Sequence, residues 1–323
     1  MDAPLLEVEN LKVYYPVRGG LFGPKRFVRA VDDVSFSIKR GEIVGLVGES
    51  GCGKSSLGRA IVRLEKPTAG RIVLNGIDLA TLSGETLRRK RKEFQMIFQD
   101  PYGSLNPRLT ILAALDEVLR LHSGLDAAGR RARAGELLTM VGLDPSQLER
   151  YPHQFSGGQR QRIGIARALA TEPALIVADE PVSALDVSVQ AQIINLLDEL
   201  RTQTDTAFLF IAHDLAVVEH ISSRILVMYL GHVVESGPAR ELCAAPRHPY
   251  TRSLLSAAPM LERPANHHRI VLQGDVPSPL APPAGCPFHP RCPLVLERCK
   301  HELPQLAGDG DHQTACFRAG EKF

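Results

Sequence analysis

Three groups of residues in this 323-residue chain are of types and spacings that could do chemistry. The first is Gly48-Glu49-Ser50-Gly51-Cys52-Gly53-Lys54-Ser55-Ser56, which fits G-x-x-x-x-G-K-[ST] without a mismatch. Its glycines let successive backbone N–H groups turn inward around phosphate oxygens with no Cβ in the way. Lys54 can reach the β- and γ-phosphates of a nucleotide, and the Ser55 hydroxyl can sit on Mg²⁺. The second group is Asp179-Glu180, adjacent carboxylates at the end of the apolar run 174–178. Asp179 suits a Mg²⁺-bound water and Glu180 suits polarising an attacking water. Two acids at a strand end are often only a helix cap, but here they share a chain with a phosphate loop. His213 closes another apolar run, where a γ-phosphate contact outranks the usual structural role of a lone histidine. The third group is Cys286, Cys292, Cys299 and Cys316, four cysteines within 31 residues. Zinc is one reading, with His289, His301 and His312 nearby, although the paired C-x₂-C knuckles of zinc sites are missing. Four thiolates also suit a [4Fe–4S] cluster. Cys52 and Cys243 read as small packed residues.

These side chains need elements to hold them. Ile43-Val44-Gly45-Leu46-Val47 reads as a buried strand entering the phosphate loop. Residues 56–62 read as a helix leaving it, with its positive N-terminal end under the phosphates. Residues 5–15 alternate as an edge strand should, and on it Tyr15, with Tyr14 second, could stack on an adenine ring. Val17 to Arg26 reads as a Gly/Pro-punctuated surface insertion, and Val28 to Ile38 resumes as strand. Residues 71–76 form a short strand ending in an Asn-Gly turn signal. Leu87 to Lys92 reads as a solvated basic helix face. Residues 94–98 are a strand that delivers Gln99, and the Pro-containing stretch 100–107 cannot continue it. Residues 110–150 are helical by periodicity. Ser156-Gly157-Gly158 starts a helix capped by Ser156, either a routine cap or a second loop facing phosphate. Ser183–Asp186 opens a helix striped by Val189, Ile193, Leu196, Leu197 and Leu200, and residues 208–212 are a buried strand before His213. Strands alternating with helices make this an α/β chain.

Composition narrows the field. Hydrophobic residues make up 44% and mean hydropathy is −0.06, which suits a globular protein with a sizeable core. A net charge of +2 gives no global pull toward nucleic acid. Neither a secretory signal nor an apolar run of about 18 residues is visible, so membrane contact is expected through a partner. Six cysteines in such a chain point to reduced thiols or metal ligands.

Together the motifs resemble the ATP-binding cassette (ABC) ATPases over residues 5 to about 238. Gly48–Ser55 matches the Walker A loop, Gln99 the Q-loop and Phe155-Ser156-Gly157-Gly158-Gln159 the signature. Leu175–Asp179 matches Walker B, Glu180 the catalytic glutamate, Ser183–Asp186 the D-loop and His213 the switch histidine. Phe155 departs from the leucine of many members and keeps an apolar contact. The resemblance implies a P-loop NTPase cassette over 1–238, with a RecA-like core, an antiparallel β subdomain and a helical subdomain at about 100–170. A Pro- and Cys-rich extension follows over 239–323. It also implies a head-to-tail sandwich of two cassettes, so that neither holds a complete site alone. Tyr15, Gly48, Ser50, Gly51, Gly53, Lys54, Ser55, Ser56, Gln99 and Asp179 would then meet ATP together with Ser156, Gly157, Gly158 and Gln159 of the other cassette, and Asp186 would also contact the nucleotide. Ser55, Gln99 and Asp179 would serve Mg²⁺, and Glu180, His213 and Gln99 would be catalytic.

Residues 99–107, His248-Pro249-Tyr250-Thr251-Arg252-Ser253-Leu254-Leu255 and the tail look like the ATPases of dipeptide and oligopeptide importers. Residues 15–22 resemble the F-type subunit, which pairs with a homologous D-type subunit. The same family serves glutathione, murein peptides and other small solutes. It implies two transmembrane permease subunits, received by the Q-loop and the 100–150 helices, and a periplasmic or extracellular peptide-binding protein. The expected location is the cytoplasmic face of the bacterial inner membrane, with no nucleic acid involved. In importers with this tail the four cysteines hold a [4Fe–4S] cluster. A soluble cassette ATPase of DNA repair or translation is the competing reading, but the second cassette, coiled coil or zinc insertion usual there is not evident. Lys54, Asp179, Glu180 and His213 together argue against a dead site.

Overall fold

A computed structural model describes residues 3–17, 26–100, 103, 105–257, 270, 272–308 and 310–321. The expected surface insertion therefore lies outside the described residues except at its ends, as do Pro101, Tyr102 and Ser104 of the loop after Gln99. The chain packs as two compact units. One comprises Met1–Leu5, Ile38–Glu42 and Thr81–Phe210, the other Leu6–Ser37, Ile43–Ala80 and Ile211–Phe323.

The unit that carries the phosphate loop begins with β1 (Leu6–Val17), β2 (Arg26–Ile38), β3 (Ile43–Val47), α1 (Lys54–Ile61), β4 (Ala69–Leu74) and β5 (Ile77–Asp78). Four of these strands form a sheet in the order β2-β1-β4-β5. The edge position expected for residues 5–15 is therefore wrong. β1 lies inside, pairing with β4 through Leu6↔Leu74 and Val8↔Ile72. Alternation reports only that one face is buried, here by Leu6, Val8, Leu11 and Val13, and inner and edge antiparallel strands share that pattern. The Asn-Gly signal is met at the β4–β5 turn, where Asn75 and Gly76 take φ of 50° and 75°.

The other unit supplies α2 (Gly84–Lys90), β6 (Phe94–Ile97), α3 (Ile111–His122), α4 (Ala127–Met140), α5 (Gly157–Leu169), β7 (Leu175–Asp179), α6 (Val187–Thr204) and β8 (Ala207–Ala212). β7 lies between β6 and β8 and runs parallel to β6 from Phe94↔Leu175 to Ile97↔Ala178. Every residue of β7 and β8 is buried, which is why these strands read as unbroken apolar runs. Thr110 caps α3 by accepting the Ala113 N–H, and Asp126 caps α4 by accepting that of Gly129. α2 buries nothing; its Glu85 bridges Arg88 and Arg89, so the basic stretch is a solvated face.

The phosphate-loop unit resumes with α7 (Leu215–Ile221), β9 (Arg224–Tyr229), β10 (His232–Pro238), α8 (Ala239–Ala244), α9 (Pro249–Ala257) and β11 (Gln313–Thr314). β3 runs parallel to β9, β10 turns back antiparallel, and β11 closes on β10 through Glu235↔Thr314. Glu235, with no exposed surface, fastens the tail. Its carboxylate accepts the Arg247 N–H at 2.7 Å and the His248 N–H at 3.0 Å, and pairs with His312 Nε2 at 2.8 Å. Replacing it would strand one buried and one part-buried N–H donor. Glu235→Ala is expected to destabilise this unit by about 2–5 kcal/mol in urea titrations and to expose residues beyond 238 to limited proteolysis.

Candidate nucleotide site

The phosphate loop follows the buried strand β3 and runs into α1. Gly53, at φ 110°, is the residue before the helix. A Cβ there would stand 1.9 Å from the Ala30 carbonyl oxygen on β2, so only glycine fits. Lys54 is 4% exposed, and its ammonium donates to the carbonyls of Gly48 at 2.7 Å and Glu49 at 3.1 Å. The loop thus folds around its own lysine. Ser55 and Ser56 follow, half-buried in the first turn of α1, and Ser50 and Gly51 form the exposed crest.

β7 ends at Asp179, 3% exposed. Glu180 then turns the chain at φ 47°, a left-handed conformation that a non-glycine residue adopts at a cost. Its carbonyl accepts the N–H and hydroxyl of Ser183 at 3.2 and 3.1 Å, which fixes the turn. Its carboxylate accepts from Gln99 Nε2 at 3.0 Å, so two expected catalytic residues 81 positions apart meet in one unit. Gln99 stands at the end of β6 because β6 is parallel to β7 and both deliver their ends to the same side.

Ser156 caps α5 through a reciprocal box. Its hydroxyl accepts the Gln159 N–H at 3.3 Å, and the Gln159 side chain accepts the Ser156 N–H at 3.0 Å. Buried Phe155 anchors the turn behind it. Gly158 has a packing reason: a Cβ there would come within 2.5 Å of Val189 Cγ1 on α6. Asp186 is exposed at the start of α6, and His213 is exposed between β8 and α7, beside Asp214, which caps α7. Of the two adenine-stacking candidates, Tyr14 donates its hydroxyl to Asp32 at 2.5 Å. Burial, then that bond, lifts its pKa to about 12. Tyr15 is half-buried on the other face of β1.

Cys286, Cys292, Cys299 and Cys316 line one small cavity with His248, Phe288 and His289. Three of these sulfurs accept a backbone N–H from two residues on: Phe288 to Cys286, Leu294 to Cys292 and Arg318 to Cys316, the last at 3.4 Å. Burial pushes the Cys286 thiol up to about 12 and that of Cys292 to about 11. Among the described residues, no group of three or more His, Cys, Asp or Glu could hold a single metal ion.

The sequence reading missed two residues at the phosphate loop. The Glu49 N–H donates to the Tyr250 hydroxyl at 2.7 Å, and Arg291 holds the Glu49 carboxylate through both terminal nitrogens. Tyr250 lies in the 248–255 stretch, whose only signal in the sequence was its likeness to peptide importers.

The family described as "ABC transporter" matches residues 31–183, and "Oligopeptide/dipeptide transporter, C-terminal region" matches residues 234–299. The chain is 52% identical over 317 residues to the oligopeptide transport ATP-binding protein AppF of Bacillus subtilis (strain 168), covering 97% of this chain and 96% of that protein. It is 47% identical over 317 residues to the dipeptide transport ATP-binding protein DppF of Escherichia coli (strain K12), covering 98% and 95%. Among solved structures, the dimeric post-hydrolysis state of the ATP-binding cassette MJ0796 bound to ADP and Pi superposes with a TM-score of 0.65 at 32% identity. That match covers 73% of this chain and 99% of the cassette.

Gly53→Ala is expected to destabilise the nucleotide-free protein by about 2–5 kcal/mol, from backbone strain plus the approach to Ala30. A urea midpoint equal to that of the unchanged protein would show that the loop yields instead.

Proposed function

We propose how this chain works from the premise that it belongs to the ABC transporter ATP-binding proteins of oligopeptide and dipeptide importers. It has the P-loop NTPase cassette fold, hydrolyses ATP with Mg²⁺ and couples hydrolysis to transport through membrane permease subunits. Among the described residues no helix is long and apolar enough to cross a membrane. We place the chain as a peripheral subunit on the cytoplasmic face of the membrane. Its cassette partner in this reading is a homologous D-type subunit, and a peptide-binding protein feeds the complex from outside. The MJ0796 cassette is a dimer in its post-hydrolysis state, which supports the sandwich.

In that sandwich Gly48–Ser56, with Tyr15 at the base, receives one ATP. Ser156–Gln159 and Asp186 serve the ATP held by the partner. Ser55, Gln99 and Asp179 would hold Mg²⁺, which neutralises charge on the β- and γ-oxygens when bound. Glu180 orients a water and takes its proton as the water oxygen bonds to the γ-phosphorus and ADP leaves. His213 touches the γ-phosphate. The observation that carries this assignment is the strained turn at Glu180, which costs stability and aims its carboxylate at Gln99. Glu180→Gln is expected to leave ATP binding intact and to slow hydrolysis by a factor on the order of 10²–10⁴. Near-normal turnover by that mutant in a reconstituted complex would move the base elsewhere.

In this reading the four tail cysteines, which line one cavity, hold a [4Fe–4S] cluster. Each iron takes one thiolate, so the donors of a cluster stand farther apart than those around one ion. Backbone N–H groups already face three of the sulfurs, as a thiolate set requires. Of the three histidines of a zinc alternative, His312 pairs with Glu235 and exposed His301 with Glu297, while His289 lines the cavity with its Nδ1 2.9 Å from the Cys286 carbonyl oxygen. Anaerobically purified protein is expected to be brown, with iron and acid-labile sulfide near four each per chain, and Cys299→Ser should bleach it. A colourless protein carrying about one zinc would overturn the cluster.

A further inference from the structure

Glu49 is the first variable position of the phosphate loop, and it sits where a triphosphate must come close. A free carboxylate there would repel the ligand. The tail prevents this from two directions. Arg291, whose side chain is 9% exposed, clamps the carboxylate with Nη1 to Oε2 at 2.7 Å and Nη2 to Oε1 at 3.2 Å. Tyr250, with no exposed surface, accepts the Glu49 backbone N–H at 2.7 Å. The remaining polar group of the residue, its carbonyl, accepts from Lys54 Nζ at 3.1 Å. One residue therefore joins the tail's grip to the lysine of the loop.

The grip is itself braced. His248 Nδ1 accepts the Tyr250 N–H at 3.0 Å. The Tyr250 ring meets Tyr229 at 4.7 Å between centroids and Phe288 at 5.5 Å. Phe288 and Arg291 lie in the short segment between Cys286 and Cys292, so the same turn shapes the cysteine cavity and the clamp.

We propose that the C-terminal tail sets the ATP affinity of the phosphate loop, with Tyr250 and Arg291 as positioning residues acting through Glu49. This rests on the ATPase reading. Arg291 neutralises and turns away the one carboxylate of the loop, while Tyr250 fixes the adjoining peptide. The loop then meets phosphate with its N–H groups already ordered, and less ordering is left for the ligand to impose.

The test uses the full-length chain, titrated with a fluorescent ATP analogue plus Mg²⁺, and the reconstituted transporter for kcat and KM. Tyr250→Phe and Arg291→Gln are each expected to raise Kd and KM by about 3–30-fold and to change kcat by less than about threefold, the scale of losing one or two such bonds. Adding Glu49→Gln to Arg291→Gln is expected to bring Kd back to within about threefold of the unchanged protein, because the repelling charge is gone. A loss of packing alone would not be rescued this way. Unchanged affinity in a folded Tyr250→Phe protein, judged by circular dichroism and Tm, overturns the proposal. So does failure of Glu49→Gln to rescue a folded Arg291→Gln protein. Should Arg291→Gln not fold, the isosteric Tyr250→Phe decides alone. If the unchanged chain does not bind the analogue, the ATPase reading itself falls.

Discussion

Phosphate recognition by backbone amides requires those amides to hold still, and the chain from Gly48 to Ser55 is pinned by groups from several segments. Gly53 lies against the Ala30 carbonyl, the Gly231 N–H donates to the Cys52 carbonyl at 2.8 Å, and Lys54 ties Gly48 to Glu49. None of these contacts comes from a neighbour in sequence except the lysine. The loop is flexible by composition and fixed by context, and both properties are needed. Glycine permits the inward turn, and the surrounding carbonyls and amides select one version of it.

The catalytic side faces a related problem. Glu180 must leave a buried parallel strand abruptly, and it does so in a conformation that costs free energy. Ser183 offsets part of that by giving the Glu180 carbonyl two donors. At Ser156 the solution is the reverse. There the helix start satisfies itself through the Gln159 box, and Gly158 behind it carries no side chain that would strike Val189. Strain appears where a reacting group has to be aimed, and relaxed capping appears where backbone N–H groups have only to be presented.

Much of this was legible beforehand because it is local. The phosphate loop, the cap at Ser156 and the strand ending at Asp179 each announce themselves within a dozen residues. What escaped was set by pairing between distant segments. Alternation could not tell that β1 lies inside its sheet, since burial of Leu6 and Val8 is the same in either place. Nor could any periodicity link Glu49 to Arg291, 242 positions away, because a single ion pair leaves no pattern. The cysteines fall between these cases. Their number and spacing suggested a shared site, but not that three of the sulfurs accept a backbone N–H from two residues on, with proline between at Cys286 and Cys292 and phenylalanine between at Cys316.

The distance in sequence between Glu49 and its clamp also has a meaning in time. A ribosome adding about 5–20 residues per second leaves Glu49 waiting on the order of 12–50 s for Arg291, 242 positions later, to be made. Glu235 likewise waits on the order of 4–15 s for His312, 77 positions on. Through that interval the nascent chain already carries every residue of its phosphate loop, with the carboxylate at its mouth still unpaired. Completion of the loop is thereby deferred until the tail has been translated, so a chain stalled before residue 291 would have the motif without its anchor.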